Sequence, residues 1–139
     1  MSVSFVSERI SFECPNQELL EKWLSEVCST EKKRLEHLTY IFCADDYLLK
    51  INQKYLQHDY YTDVITFDNS ENTSISGDVF ISIDRVKENA SGISVPFGDE
   101  LHRVMVHGLL HLIGFNDKTE RQKSDMTSRE DFYLSLRPF

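Results

Sequence analysis

The chain has 139 residues, of which 40% are hydrophobic and 27% charged, and this composition excludes disordered, collagen-like and coiled-coil proteins. Asp and Glu number 23 against 15 Lys and Arg, which gives a formal net charge of -8. Such an acidic balance lacks the basic surface typical of nucleic-acid-binding proteins, and anionic lipid would repel it. We therefore predict a single domain over residues 1–139 that is not attached to a membrane.

The three cysteines, Cys14, Cys28 and Cys43, are odd in number and form no CxxC pair. This argues against a disulfide framework and against a zinc site built from cysteines. Residues 1–10 lack the basic region and apolar run of a secretory signal. We therefore predict buried free thiols and a cytoplasmic protein.

Hydrophobic periodicity predicts nine elements in the order β, α, β, α, β, β, α, α, α. Strands are expected at 3–12, 38–43, 64–67 and 74–83, and helices at 16–30, 45–55, 85–90, 96–114 and 119–136. Asn16 and either Asp45 or Asp46 are placed to cap the first two helices, and Thr119 with Gln122 forms a capping box. This order indicates an α/β or α+β fold, in which about five helices cover a small mixed four-stranded sheet.

The segment VMVHGLLHLI, residues 104–113, is apolar nearly all round and therefore predicts a buried helix. Its two ionisable side chains, His107 and His111, are four residues apart and so lie on one helix face, one turn from each other. Burying two imidazoles without partners is costly, and a divalent metal bound by both rings removes that cost. Either histidine alone would be interpreted as a core residue bonded to a carbonyl; the pair favours a metal-site helix like that of the zincins.

A third candidate ligand, Asp117, follows six residues after His111, beyond the predicted helix end at Gly114. The resulting pattern is H-x3-H-x5-D. Three protein ligands leave a fourth position for water, as catalytic metal sites do. The alternative is that Asp117 is a turn residue or serves the cap at Thr119.

The residue directly after the first histidine limits the classes of hydrolysis that the site could catalyse. Metallopeptidases of the H-E-x-x-H type carry a glutamate base directly after the first histidine, whereas this chain has Gly108 there. A peptidase or amidase is therefore disfavoured, and metal-assisted hydrolysis of a phosphodiester remains possible. Because glycine inside a helix costs about 1 kcal/mol relative to alanine, we also expect a backbone or substrate to approach Gly108 closely.

Three sequence blocks resemble the YbeY family of bacterial endoribonucleases and rRNA maturation factors. HGLLHLIGFND resembles the family signature H-G-x-L-H-L-x-G-[FY]-D-H. YLQHDYYTDVITF, residues 55–67, is similar to Y-R-x-x-D-x-P-T-D-V-L-S-F, and GDVFIS, residues 77–82, is similar to G-D-I-x-I-S. The blocks stand in the family's order.

This resemblance implies an α/β fold with a metal cleft and a zinc-dependent hydrolase that cleaves single-stranded RNA. It implies roles in 16S rRNA 3′-end maturation and in ribosome quality control, with ribosomal RNA and the small subunit, or a protein associated with it, as partners. By position, His107 and His111 match the first two zinc ligands, with one zinc per chain.

The chain departs from the family pattern at three positions. The third histidine is replaced by Asp117, whose negative charge lowers the formal charge of the site and predicts greater tolerance for manganese or nickel. The family arginine, which suits binding of a phosphate, is replaced by Leu56, so the residue that would bind the phosphate is not identified. The family proline is replaced by Tyr61, which could stack a base or simply pack on the surface. The nearest candidates to replace the arginine are Lys54, His58, Arg85 and Arg103.

Further candidates follow from position. Glu100 shares the helical face of His107 and could act as a catalytic base, or be a solvated first-turn residue. His102 lies off that face and is expected at the surface, and Asp63 and Asp78 are expected in structural roles. The substrate-binding candidates are His58, Arg103 and Tyr61.

Two other functions remain open from sequence: a peptidase or amidase on the same helix geometry, and a non-catalytic ribosome-assembly factor with a structural metal. The net charge of -8 opposes RNA binding at long range. We therefore expect any basic surface to be local to the metal cleft, and a protein partner on the ribosome to supply affinity.

Overall fold

The computed structural model describes residues 2–139, and over these residues the chain forms one four-stranded sheet with five helices. The sheet has the strand order β1-β2-β4-β3, in which β1–β2 and β2–β4 pair in parallel and β3 pairs antiparallel to β4. The mixed four-stranded sheet confirms the predicted fold class. The strands are β1 (Ser2–Ser7), β2 (Arg34–Cys43), β3 (Val64–Asp68) and β4 (Ser74–Ser82).

The helices also occur in the predicted order. The Thr119 capping box is confirmed, because the Gln122 N–H donates to the Thr119 hydroxyl and the Gln122 side chain accepts from the Thr119 N–H. The predicted helix stop at Gly114 is confirmed as well, at a φ of 123° that favours glycine. The helices are α1 (Gln17–Thr30), α2 (Asp45–Leu56), α3 (Ile83–Gly92), α4 (Phe97–Ile113) and α5 (Glu120–Ser135).

Several predicted ends and caps are wrong. β1 stops at Ser7 instead of residue 12, and Arg9 takes a positive φ of 60° just after it. β2 begins four residues earlier than predicted, because Arg34 already pairs with Ser74 of β4. Asn16 precedes α1 in a left-handed conformation without a side-chain cap bond, so the predicted cap is absent there.

The predicted aspartate cap of α2 is also wrong, since the cap position is Ala44. Asp45 makes tertiary contacts instead: its carboxylate accepts from the Ser82 hydroxyl at 3.0 Å and from the Arg85 guanidinium at 2.7 Å. These bonds tie the start of α2 to the junction of β4 and α3.

Helix α4 lies on one face of the sheet, against β3 and β4, and also contacts α3 and α5. A β-carbon placed on Gly108 would lie 2.7 Å from Val79 Cγ1 of β4. The expected close approach at Gly108 is therefore present, but the neighbour is a side chain of the sheet. The contact lets α4 lie flat on β4.

The three cysteines are free and buried, as predicted. Burial raises the pKa of the Cys14 thiol to about 11 and the pKa values of Cys28 and Cys43 to about 12. The thiols are therefore protonated near neutral pH and act as small apolar groups. Within residues 2–139, every helix is too short or too polar to cross a membrane.

His102 is buried, contrary to the surface position predicted for it, with 6% of the residue exposed. Its ring packs edge-on against Trp23 and Phe139, with centroids 6.1 and 4.9 Å away. Arg137 donates to His102 Nδ1 at 2.9 Å. Burial, together with the charge of Arg137, lowers the pKa of His102 to about 4, so the ring is neutral near pH 7.

Candidate metal centre

Three side chains converge beside α4, as the sequence predicts. His107 and His111 lie one turn apart, and their Nε2 atoms are 3.0 Å from each other. Asp117 Oδ2 lies 3.4 Å from Nε2 of His107 and 3.3 Å from Nε2 of His111. All three residues are half-buried, so the group they form is open to solvent on one side.

The spacing of these three atoms fits a metal ion. An ion with bonds of about 2.0–2.1 Å holds its ligand atoms about 3.3 Å apart in tetrahedral geometry and about 3.0 Å apart in octahedral geometry. The observed separations of 3.0, 3.3 and 3.4 Å span that range. Two imidazoles and a carboxylate suit zinc and also other transition metals. The group can therefore hold a metal ion with a coordination position left for solvent.

Asp117 is fixed by the short connection between α4 and α5. Gly114 reverses the chain, and the N–H groups of Gly114 and Phe115 both donate to the carbonyl of Leu110, at 3.1 and 3.0 Å. Phe115 then packs on the core. The cap at Thr119 uses its own hydroxyl and Gln122, so the alternative role of Asp117 at that cap is not observed.

Glu130, which the sequence did not single out, is the principal partner of His107. His107 Nδ1 donates to Glu130 Oε2 at 2.5 Å, and Arg103 Nη1 donates to Glu130 Oε1 at 2.9 Å. Burial disfavours the charged ring, but the hydrogen bond and charge of Glu130 outweigh it, so the pKa of His107 is raised. A carboxylate on Nδ1 fixes the tautomer that points a free Nε2 at the ligand group.

Only the spacing along α5 could have indicated Glu130. Met126, Glu130 and Tyr133 share one helical face and are all buried. A glutamate between two apolar residues at that spacing is unusual, because glutamate is rarely buried without a partner. The partner lies 23 residues away on α4 and cannot be inferred from α5 itself.

We expect the change Glu130→Gln to weaken metal binding by about 10- to 100-fold, the usual cost of losing a carboxylate behind a histidine ligand. Competition with a chromophoric chelator measures this affinity without any assay of activity. The matched control is Asp131→Asn, because Asp131 also pairs with Arg103 but is exposed and makes no contact with His107. Equal losses in the two variants would show that Glu130 acts only through Arg103.

Two hollows adjoin the three candidate ligands. The first, of roughly 420 Å³, we call the acidic hollow; its charged lining consists of Asp63, Glu100, Asp117, Glu130, Arg103 and Lys123. The second, of roughly 380 Å³, we call the aromatic hollow; its outer lining includes Asn52, Leu56, His58, Tyr60 and Thr62. His107, Asp117 and Asp63 border both hollows.

Glu100 lies in the acidic hollow and is only 7% exposed, so its interpretation as a solvated first-turn residue is wrong. Asp63 lines the same wall and accepts a hydrogen bond from Asn89 at 3.3 Å. Burial raises the pKa of both carboxyls. Asp78 alternates along β4 with Gly77 and Val79, which face α4, so its side chain points to the other face of the sheet.

The substrate-binding candidates separate in the structure. His58 lines the aromatic hollow, as predicted for a histidine facing the cleft. Arg103 is engaged by Glu130 and Asp131, which favours a role in holding Glu130 over the predicted contact with substrate. Tyr61 lies outside both hollows: its hydroxyl donates to Asp46 at 3.2 Å, and the Arg85 guanidinium lies over its ring.

The cleft is not lined by the basic surface expected there from the sequence. Four carboxylates border the acidic hollow against two cations, and one of those cations, Arg103, is paired with Glu130 and Asp131. Arg85, another candidate to replace the missing arginine, is paired with Asp45 and Glu88. The described cleft therefore concentrates part of the chain's negative charge beside the candidate ligands.

Comparison with known proteins places these observations in a family. The family model described as "Endoribonuclease YbeY" matches residues 3–136. A protein named "Endoribonuclease YbeY" from Cytophaga hutchinsonii is 49% identical over 139 residues, which cover 99% of this chain and 97% of that one. One of the same name from Bacteroides fragilis is 41% identical over 137 residues, with 99% of each chain covered. The solution structure of TM1509 from Thermotoga maritima superposes with a TM-score of 0.67 at 25% identity, covering 96% of this chain and 87% of that chain.

Proposed function

Because the chain belongs to the YbeY endoribonuclease family and is a hydrolase acting on RNA, we propose that it cleaves unpaired RNA at the centre formed by His107, His111 and Asp117. The observation that carries this proposal is the triangle of ligand atoms, with sides of 3.0–3.4 Å, at the meeting point of two open hollows. A peptidase of the H-E-x-x-H type is disfavoured further, because the position of its glutamate is Gly108, which packs against Val79.

We assign one metal ion per chain to this centre, with zinc as the native ion and manganese or nickel as competent substitutes. When bound, such an ion lowers the pKa of a water molecule and neutralises charge on the phosphate. The aspartate in place of a third histidine supports the broader metal tolerance, because carboxylates suit harder ions.

The chain's own residues supply orientation and proton transfer. Glu130 holds His107 with its Nε2 facing the centre. Glu100 lies in the acidic hollow that His107 and Asp117 also border, and we assign it to move a proton during hydrolysis. Its raised pKa brings the carboxyl closer to the working pH, which suits general acid–base catalysis.

For the biological role we propose 16S rRNA 3′-end maturation and ribosome quality control in the cytoplasm. The family membership supports this role. The net charge of -8 and the acidic hollow support a contribution from the small ribosomal subunit or a protein bound to it, because the chain alone repels a polyanion.

The test is cleavage of a labelled single-stranded RNA, beside the same sequence as a duplex, by protein that has been stripped with a chelator and then reloaded with zinc, manganese or nickel. We expect the stripped protein to lose activity while its circular dichroism spectrum is kept, and metal to restore cleavage of the single strand. Elemental analysis should give one ion per chain. Unfolding upon chelation would instead indicate a structural metal, and cleavage without metal would refute the assigned centre.

A further inference from the structure

The aromatic hollow is the side of the centre from which an RNA strand can approach. A phosphodiester chain is a polyanion, and the acidic hollow presents Glu100 and Glu130 in addition to the shared Asp63 and Asp117. The aromatic hollow adds no carboxylate beyond the two shared ones. Its own lining is aromatic, amide, hydroxyl and aliphatic, and it reaches His107 and His111 directly.

Two aromatic rings in this hollow are stacked and open to solvent. The rings of His58 and Tyr60 have centroids 5.1 Å apart and an angle of 20° between their planes. The Tyr60 hydroxyl lies 3.0 Å from His58 Nδ1, and Tyr60 is 56% exposed. An exposed aromatic face beside a reactive centre is the feature with which single-strand-binding proteins hold bases.

The loop that carries the two rings is stabilised by the buried side-chain amide of α2 residue Asn52. Asn52 is 1% exposed, and its side chain donates to the carbonyl of Tyr60 at 2.9 Å. The backbone carbonyl of Asn52 accepts from the N–H of His58 at 3.1 Å. Gln57, at a positive φ of 56°, turns the chain at the end of α2, directly before His58. The stack is thus fixed before any ligand arrives, which lowers the entropic cost of binding.

We propose that the His58–Tyr60 stack binds an unpaired nucleobase next to the phosphate that is cleaved, and so supplies the grip that the arginine replaced by Leu56 would give. The inference rests on the proposed function. A base within a duplex is already stacked on its neighbours, so the platform selects single strands. Because stacking carries no net charge, this contribution to affinity is insensitive to salt, unlike that of an arginine–phosphate contact.

The test is the affinity of Tyr60→Ala for a short fluorescent single-stranded RNA, measured by anisotropy across a salt series. We expect about tenfold weaker binding, the loss that follows from removing one stacking aromatic, with an unchanged salt slope. Tyr60→Phe should bind as the wild type does. The control is Phe132→Ala, because Phe132 has a similar exposure of 51% but lines neither hollow. In turnover, KM should rise for Tyr60→Ala while kcat is kept.

An oligonucleotide series with one abasic position per strand locates the base. Removal of the base at one position should weaken binding to the wild type about tenfold. The same removal should not weaken binding to Tyr60→Ala any further. If Tyr60→Ala and Phe132→Ala bind RNA equally, the platform is refuted, whereas cleavage by the wild type would leave the proposed function standing. If the wild type binds RNA through Tyr60 but never cleaves it, the proposed function fails and the platform stands.

Discussion

The change His111→Ala is expected to lower the rate of RNA cleavage by about three orders of magnitude or more, because the several kcal/mol that a catalytic metal supplies depend on its ligands. Removal of His111 leaves His107 and Asp117, two of the three donor atoms that lie 3.0–3.4 Å apart. His111 borders the open aromatic hollow, so its truncation widens that hollow and leaves no enclosed cavity, and the melting temperature of the metal-free protein should change by only a few degrees. Single-turnover cleavage and metal content should fall together.

The matched control is His37→Ala, which removes an exposed histidine of β2 that is bonded to Ser2 of the edge strand β1. It should leave both cleavage and metal content unchanged. At the third ligand, Asp117→Ala should repeat the loss seen for His111→Ala. Asp117→His restores a neutral donor, so it should retain cleavage and shift the preference among zinc, manganese and nickel towards zinc. Full activity of Asp117→Ala would remove Asp117 from the centre.

Acidification from pH 6.5 to pH 4 is expected to cost about 3 kcal/mol of folding free energy through His102 alone. The pKa of this ring is lowered from 6.5 to about 4 in the folded chain. Between those values the unfolded chain binds a proton that the folded chain does not. The stabilisation is therefore complete above pH 6.5 and is lost as the pH falls towards 4.

Urea unfolding across this pH range measures the effect as a difference between the wild type and His102→Gln. The glutamine can still accept from Arg137 but cannot titrate, so its stability curve should be flatter by about 3 kcal/mol. Both proteins contain Asp63 and Glu100, whose raised pKa values stabilise the folded state as the pH falls. The contribution of these two carboxyls therefore cancels in the difference between the two stability curves. His37→Gln, at an exposed site, should follow the wild type. Parallel curves for wild type and His102→Gln would mean that His102 is already accessible to protons when folded.

The sequence predicted the features of the fold that depend on residues close together in the chain. The spacing of His107 and His111 fixes their shared face, and Gly114 and the Thr119 capping box fix where α4 ends and α5 begins. Asp117 lies between those two points and has little freedom to be elsewhere. The candidate centre was therefore predictable because all three ligands lie within eleven residues of one another.

Features that depend on distant contacts were not predictable in the same way. Glu130 contacts His107 only because α5 packs on α4. His102 is buried by Trp23 and Phe139, which lie near opposite ends of the chain. Asp45 is the first residue of α2, after the cap position at Ala44, and its carboxylate bonds to Ser82 and Arg85, which lie far along the sequence.

The sequence left two roles open for Tyr61, stacking on a base or packing on the surface, and did not indicate its neighbour Tyr60. The structure places Tyr61 outside both hollows, against Asp46 and Arg85, and places Tyr60 in the aromatic hollow. The choice between them is made by Asn52, which bonds the carbonyl of Tyr60 and thereby sets the rotation of the loop. No short-range pattern encodes that bond.

The contact between Gly108 and Val79 also makes this scaffold resistant to conversion into a peptidase. A glutamate introduced at position 108 would begin with its β-carbon 2.7 Å from Val79 Cγ1. Because Val79 is fully buried, relief of this clash requires either a displacement of α4 from the sheet, which would shift both histidines, or a smaller side chain in the core beneath them. An engineer seeking proteolysis from this chain would therefore have to repack β4 against α4 as well as supply the carboxylate.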